Sequence, residues 1–260
     1  MWGFHLQECR NVLTVGIGGI GGTVGKRFAP EGYHAALCRR TDQDGLNTLV
    51  ESIESEGGSA SGFLLNAVEA DGIEERVAAV EADIGPIEVV VFNLGDQIGD
   101  RALADTTYKA FEIGWRMATF ALFRAASTVC PLMEERGKGT ILVTSATAAM
   151  RGNKGQHSHA AAMGGRRMLC QSLNAEFGPK GIHIAHILID GAVDAPDTLG
   201  KMLGPEKFQQ LRETRGMDHD GLMLPEKIAD TYFHIAQQHR STWTHEIDMR
   251  SFSARPWWNH

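Results

Sequence analysis

The chain is predicted to be an α/β protein, a doubly wound parallel sheet of about seven strands with helices on both faces. Three observations carry this prediction. Short apolar runs alternate with longer helix-periodic runs along the whole 260 residues. The apolar runs are continuous, as in Val89-Val90-Val91-Phe92, which marks strands buried on both faces. The first run ends in a glycine cluster from which a helix departs, the usual opening of such a sheet.

The elements follow in order. Residues 11–15 form a short strand that runs into the glycines, and helical spacing resumes at 24–28 until Gly32 stops it. A second strand is expected at 34–38. Leu46, Leu49, Val50 and Ile53 share one face of a helix over 45–55, closed by Gly57-Gly58. A third strand at 61–65, a helix at 73–81 and a fourth strand at 88–93 follow. A long helix spans about 108–136, and Gly137-Lys138-Gly139 turns the chain into a fifth strand, 140–145. The helix 159–177 ends at Gly178-Pro179 and leads into a sixth strand, 182–189. Pro225 opens a helix reaching 238, and 244–249 gives the last strand. The aromatic tail Pro256-Trp257-Trp258 is expected to pack on the body. No repeat or linker interrupts this order, so residues 1–260 are read as one domain. The mixed stretch of about 195–223 is read as a lid. Its Met202, Leu203, Met217, Leu222 and Met223 either line a pocket or pack as ordinary core.

Bulk properties narrow the function. Hydrophobic residues make up 43%, charged residues 22%, and the net charge is -7. An acidic surface does not seek phosphate backbones or anionic lipid, so neither nucleic acid nor membrane is an expected partner. No apolar run approaches the roughly 20 residues that cross a bilayer, and no signal peptide is read at residues 1–10. Cys9, Cys38, Cys130 and Cys170 are scattered without a CxxC pair. Reduced thiols and a cytoplasmic setting are therefore expected.

Between the first strand and first helix lies Val15-Gly16-Ile17-Gly18-Gly19-Ile20-Gly21-Gly22. Glycines there let backbone N–H groups approach a pyrophosphate at a helix N-terminus. Strand before and helix after give the motif its required context.

From about residue 11 to residue 250 the chain resembles the short-chain dehydrogenase/reductase family, whose fold is Rossmann-type. That family carries TGxxxGxG at this loop. Gly16, Gly19 and Gly21 correspond, with one residue fewer between the first two. Phe92-Asn93-Leu94-Gly95 looks like the family's NNAG element, and Asn66-Ala67 falls at its adenine-side position. Glu176–His183 is similar to the family's link into the sixth strand. Ile189-Asp190-Gly191-Ala192-Val193 occupies its nicotinamide-side PGxxxT loop, with Asp190 in place of Pro. The resemblance thus implies that Gly16, Gly19, Ile20, Gly21, Asn66, Ala67, Asn93, Gly95, Gly191 and Val193 contact a nicotinamide dinucleotide. It also implies self-association through the two long helices as a homodimer or homotetramer, and a small-molecule substrate. At the end of the second strand, NAD-preferring members show an acid, whereas this chain has Arg39-Arg40. Two guanidinium groups suit a 2′-phosphate by charge and fork geometry, so NADP(H) is expected over NAD(H). The alternative is that both are solvated loop charges.

The family's Asn-Ser-Tyr-Lys catalytic set is missing. No YxxxK occurs: Tyr33, Tyr108 and Tyr232 are followed four residues on by Leu37, Glu112 and Ala236. Alignment on Gln171-Ser172-Leu173 and Gly178-Pro179 puts His159 at the Tyr position, Met163 at the Lys position, Ala146 at the Ser position and Ala118 at the Asn position. In one reading His159 replaces Tyr as proton donor. Its reference pKa of about 6.5 suits neutral pH without a lysine, and Ser145 or Thr147 holds the substrate oxygen. In another, His157, His159, Asp96, Arg101 and Arg151 surround a pocket for non-redox acid–base chemistry. In a third the chain binds dinucleotide without catalysis. No third ligand accompanies His157 and His159, so no metal is expected. Asp190 and Asp194 are read as solvated loop charges.

Overall fold

The computed structural model describes residues 10–95 and 101–259, apart from the side chain of Met217. Seven strands form the sheet: β1 (Arg10–Val15), β2 (Tyr33–Arg39), β3 (Ser59–Leu64), β4 (Ile87–Phe92), β5 (Gly139–Ala146), β6 (Ile182–Ile189) and β7 (Glu246–Met249). Their order is β3-β2-β1-β4-β5-β6-β7, and every pairing is parallel. Connections therefore diverge on either side of β1 and β4, opening a crevice at their carboxyl ends.

Both faces of the sheet are covered, which is why its strands are apolar throughout. Helices α1 (Gly21–Phe28), α2 (Gln43–Ser55) and α9 (Pro225–Ala236) cover one face, burying Val24, Phe28, Leu46, Ile53, Ile228 and Tyr232. Helices α3 (Gly72–Asp83), α5 (Ala121–Arg136) and α6 (His157–Phe177) cover the other with Val77, Val80, Leu122, Val129, Cys170 and Leu173. Burying such side chains stabilises by about 1.5–3 kcal/mol each. Cys38, Cys130 and Cys170 are buried free thiols. Among the described residues no helix is long and apolar enough to cross a membrane.

The expected long helix is interrupted. Helix α4 (Tyr108–Trp115) passes through a π turn, Arg116–Phe120, before α5, and the Ala121 N–H donates to the Arg116 carbonyl five residues back. The inserted residue puts Ala118 and Thr119 against α6, where the Thr119 hydroxyl donates to the Ala162 carbonyl at 2.6 Å. The last strand starts at Glu246 rather than 244, because the Thr244 amide and hydroxyl are engaged by the Gln238 side chain.

The stretch after β6 holds a π turn (Pro196–Gly200), α7 (Lys201–Leu203) and α8 (Pro205–Arg215). Its described apolar residues differ in burial. Met223 is core and donates its N–H to the Ala192 carbonyl, whereas Met202 is exposed.

Candidate active site

The glycine loop is shaped by close approach. Gly16 and Gly19 have φ of +93° and +61°, a region that disfavours side chains. A Cβ on Gly21 would stand 2.1 Å from the Gly16 oxygen. Asn93, at the end of β4, braces the loop: its Nδ2 donates to the Gly16 and Gly18 carbonyls, both at 2.9 Å. Gly16, Gly19, Ile20, Asn93, Gly95, Val193, Thr198 and His159 line a cleft of about 360 Å³. The Gly19 N–H donates to both carboxylate oxygens of Asp197, at 3.2 and 3.1 Å. An acidic side chain from the segment after β6 thus sits at the electropositive start of α1.

Arg39 ends β2 and forms an ion pair with Asp42 at 3.0 Å. Asp42 also accepts from the Gly45 amide and so caps α2. Gly45 leaves room for the pair, since its Cβ would stand 2.6 Å from Asp42 Oδ2 and 2.9 Å from Arg39 Nη1. Arg39 lines a cleft with Ile17, Thr23 and Lys201, and Arg40 beside it is exposed. Asn66 and Ala67 line neither cleft. The Asn66 amide donates to Glu69, and Ala67 is buried with its carbonyl accepting from Arg124.

His159 lies in the first turn of α6 and is 7% exposed. It lines the glycine-loop cleft and also a larger pocket of about 620 Å³ with Thr147, Asn153, Gln156 and Gly191. Among the described residues it is the one residue common to both. Ser145 is buried, and its hydroxyl faces the Met163 sulfur at 3.9 Å. Thr147 lines the pocket instead. Met163, one turn after His159, is buried among Ala118, Ala148 and Ala162, so no cation stands at that turn. Arg101 donates its N–H to the Gly155 carbonyl, and Asp96 lies outside the described residues. Among the described residues no three His, Cys, Asp or Glu side chains converge as a metal site.

Two loop aspartates serve structure rather than solvation. Asp190 is buried and accepts from Arg250 Nε at 3.2 Å and from the Trp257 N–H at 3.0 Å. The Trp257 indole donates to Asp248, and Arg151 donates to the Trp257 carbonyl. The aromatic tail is thereby fastened beside the pocket. Asp194 pairs with Arg212 of α8 at 2.7 Å.

Arg166, outside the family motifs, is 1% exposed. Its guanidinium donates to the carbonyls of Ala118, Thr144 and Leu94, joining the π turn, β5 and the loop after β4. Burial pushes its pKa down to about 10, so it stays charged at neutral pH. The signal was an arginine on the buried stripe Ser158, His159, Ala162, Met163, Arg166, Cys170 of α6, whose spacing of three and four marks one helix face.

Residues 10–198 match the family described as short chain dehydrogenase. The chain belongs to that family. It is 30% identical over 234 residues to the short-chain reductase protein NovJ of Streptomyces niveus, covering 89% of this chain and 88% of that one. A short-chain dehydrogenase from Rhodopseudomonas palustris superposes with a TM-score of 0.77 at 31% identity, over 94% of this chain and 99% of that one. The family is one of oxidoreductases that use nicotinamide dinucleotides, and the seven-stranded parallel sheet is its fold.

Proposed function

We propose that the protein is an NADP(H)-dependent oxidoreductase acting on a small molecule, with His159 in the place of the family's tyrosine. The observation that carries this reading is His159 bridging the glycine-loop cleft and the adjoining pocket. A proton donor for hydride chemistry has to touch both.

The loop fits a dinucleotide. Gly16 and Gly19 hold the backbone where side chains would intrude, Asn93 fixes it, and Ile20, Gly95 and Val193 wall the cleft. Arg39 and Arg40 suit a 2′-phosphate, with Arg39 oriented by Asp42. When bound, the dinucleotide supplies hydride to a substrate carbonyl carbon, or accepts it in reverse. The His159 imidazolium gives its proton to the carbonyl oxygen, and imidazole takes one back in the oxidative direction. Thr147 holds that oxygen beside His159. Arg166 keeps Leu94, Thr144 and Ala118 in register beneath the cleft.

The His159→Phe variant should lose turnover by about 10²-fold or more, with NADPH affinity nearly unchanged. Full activity in that variant contradicts the assignment.

We also propose a homodimer or homotetramer through α4, α5 and α6. Tyr108, Phe111, Trp115, Phe123 and Met168 are exposed there, and the rings of Trp115, Phe120 and Phe123 stack in series. A patch of this kind marks an interaction surface. A monomer alone in a solution size measurement overturns this part.

A further inference from the structure

We infer that the pocket beside His159 takes a small oxo or hydroxy acid, its carboxylate held by the guanidinium groups of Arg215 and Arg255. The identity of the reacting group rests on the oxidoreductase reading above. The anion requirement does not.

The carboxyl ends of β5 and β6 form part of the pocket with Thr147 and Gly191, and three further parts of the chain complete it. The first turn of α6 and the loop before it give His159, Gln156 and Asn153, the end of α8 gives Arg215, and the C-terminal tail gives Arg255. Lid and tail meet at Gly221, where a Cβ would stand 2.5 Å from the Arg215 carbonyl oxygen and 3.0 Å from Ser253 Oγ. The Ser253 N–H donates to the Asp220 carbonyl, and the Ser251 hydroxyl to that of Gly221. Both arginines are therefore carried by segments tied to one another, in a pocket that also holds the proposed proton donor.

Among the described residues the two arginines are not paired with carboxylates. Neighbouring arginines on the same two segments have carboxylate partners: Arg212 of α8 pairs with Asp194 at 2.7 Å, and Arg250 of the tail pairs with Asp190 and Asp248. Arg215 and Arg255 have no ion pair among the described residues. The carboxylate on the wall itself, Asp190, is occupied by Arg250 and the Trp257 N–H. A chain of net charge -7 thus lines one cleft with two exposed arginines that have no carboxylate partner among the described residues. Such a local reversal of sign draws an anion in, and the planar fork of each guanidinium matches a carboxylate. A volume of about 620 Å³ admits a small molecule, so the carboxylate and the carbonyl next to His159 belong to one compact compound. In the reductive direction the carbonyl carbon gains hydride and its oxygen gains the His159 proton. The carboxylate passes through unchanged.

The test is calorimetric titration of the dinucleotide-free protein with 2-oxoglutarate, acetoacetate and, as a neutral control, methyl acetoacetate. The acids should bind, more weakly as salt is raised, and acetoacetate should bind more tightly than its ester. Arg215→Gln and Arg255→Gln should each weaken acid binding roughly tenfold to hundredfold, leaving the ester and NADPH affinity as they were. Equal binding of acid and ester, equal affinity in the variants, or no binding of either acid overturns the inference. Failure of NADPH to bind would sink the oxidoreductase reading alone, since anion binding is measured without dinucleotide.

Discussion

Arg166 Nε donates to the Ala118 carbonyl at 2.8 Å, across the contact between α6 and the π turn. On the alignment proposed from the sequence, Ala118 falls at the family's asparagine position and Met163, one turn before Arg166, at its lysine position. The Arg166 charge lies in the interior and donates to three backbone carbonyls. Arg166→Met would leave the Ala118, Thr144 and Leu94 carbonyls without this donor. A buried group left unpaired costs about 1–3 kcal/mol, so we expect a loss on the order of 3 kcal/mol in chemical denaturation. Arg166→Lys should restore part of it by keeping the charge. An unchanged midpoint in Arg166→Met contradicts this role.

Asp197 bears on cofactor affinity. Its carboxylate accepts from the Gly19 N–H, at the N-terminal start of α1 where a pyrophosphate would be held. A dinucleotide must displace it or tolerate a like charge. Asp197→Ala should therefore tighten NADPH binding by about two- to fivefold, the size of a helix-terminus charge effect. Weaker binding in the variant would show that Asp197 supports the loop instead.

Acid sensitivity should come from β6 and β7. His186 is fully buried, with Nδ1 on Glu246 at 3.1 Å and Arg166 and Arg167 nearby. Burial, above all, lowers its pKa to about 4. A folded-state value below the unfolded one means that the unfolded chain binds more protons between about pH 6.5 and 4, so stability falls as pH drops through that window. Glu246 has its pKa lowered, chiefly by the Arg167 hydrogen bond, and its contribution is lost at still lower pH. Denaturant midpoints between pH 7 and 4 should decline in the wild type, by about 3 kcal/mol at most from His186. In His186→Val the slope above pH 4.5 should flatten. An equal slope in both proteins assigns the effect elsewhere.

The sheet and its helices were legible because continuous apolar strands such as Val89–Phe92 and amphipathic helices such as α2 carry their burial in their spacing. The glycine loop was legible for a related reason: Gly16 and Gly19 sit at positive φ, where few other residues fit. The π turn at Arg116–Phe120 was not, since one inserted residue barely shifts a helical period. Nor were the partners of Asp190 and Asp197. Asp190 meets Arg250 and Trp257 from 60 residues or more away, and Asp197 meets a backbone N–H 178 residues away. Such contacts are set by topology and leave no local pattern. Arg166 was visible as a charge on a buried stripe, but its three carbonyl partners come from three other segments.

NADP(H) dependence is tested by titration of NADPH and NADH into the purified protein, followed by nicotinamide fluorescence, with Arg39→Ala and Arg40→Ala alongside. NADPH should bind more tightly than NADH by about tenfold or more, and each substitution should erode the difference by weakening NADPH alone. Binding of neither dinucleotide, or equal binding unaffected by either arginine, would contradict it.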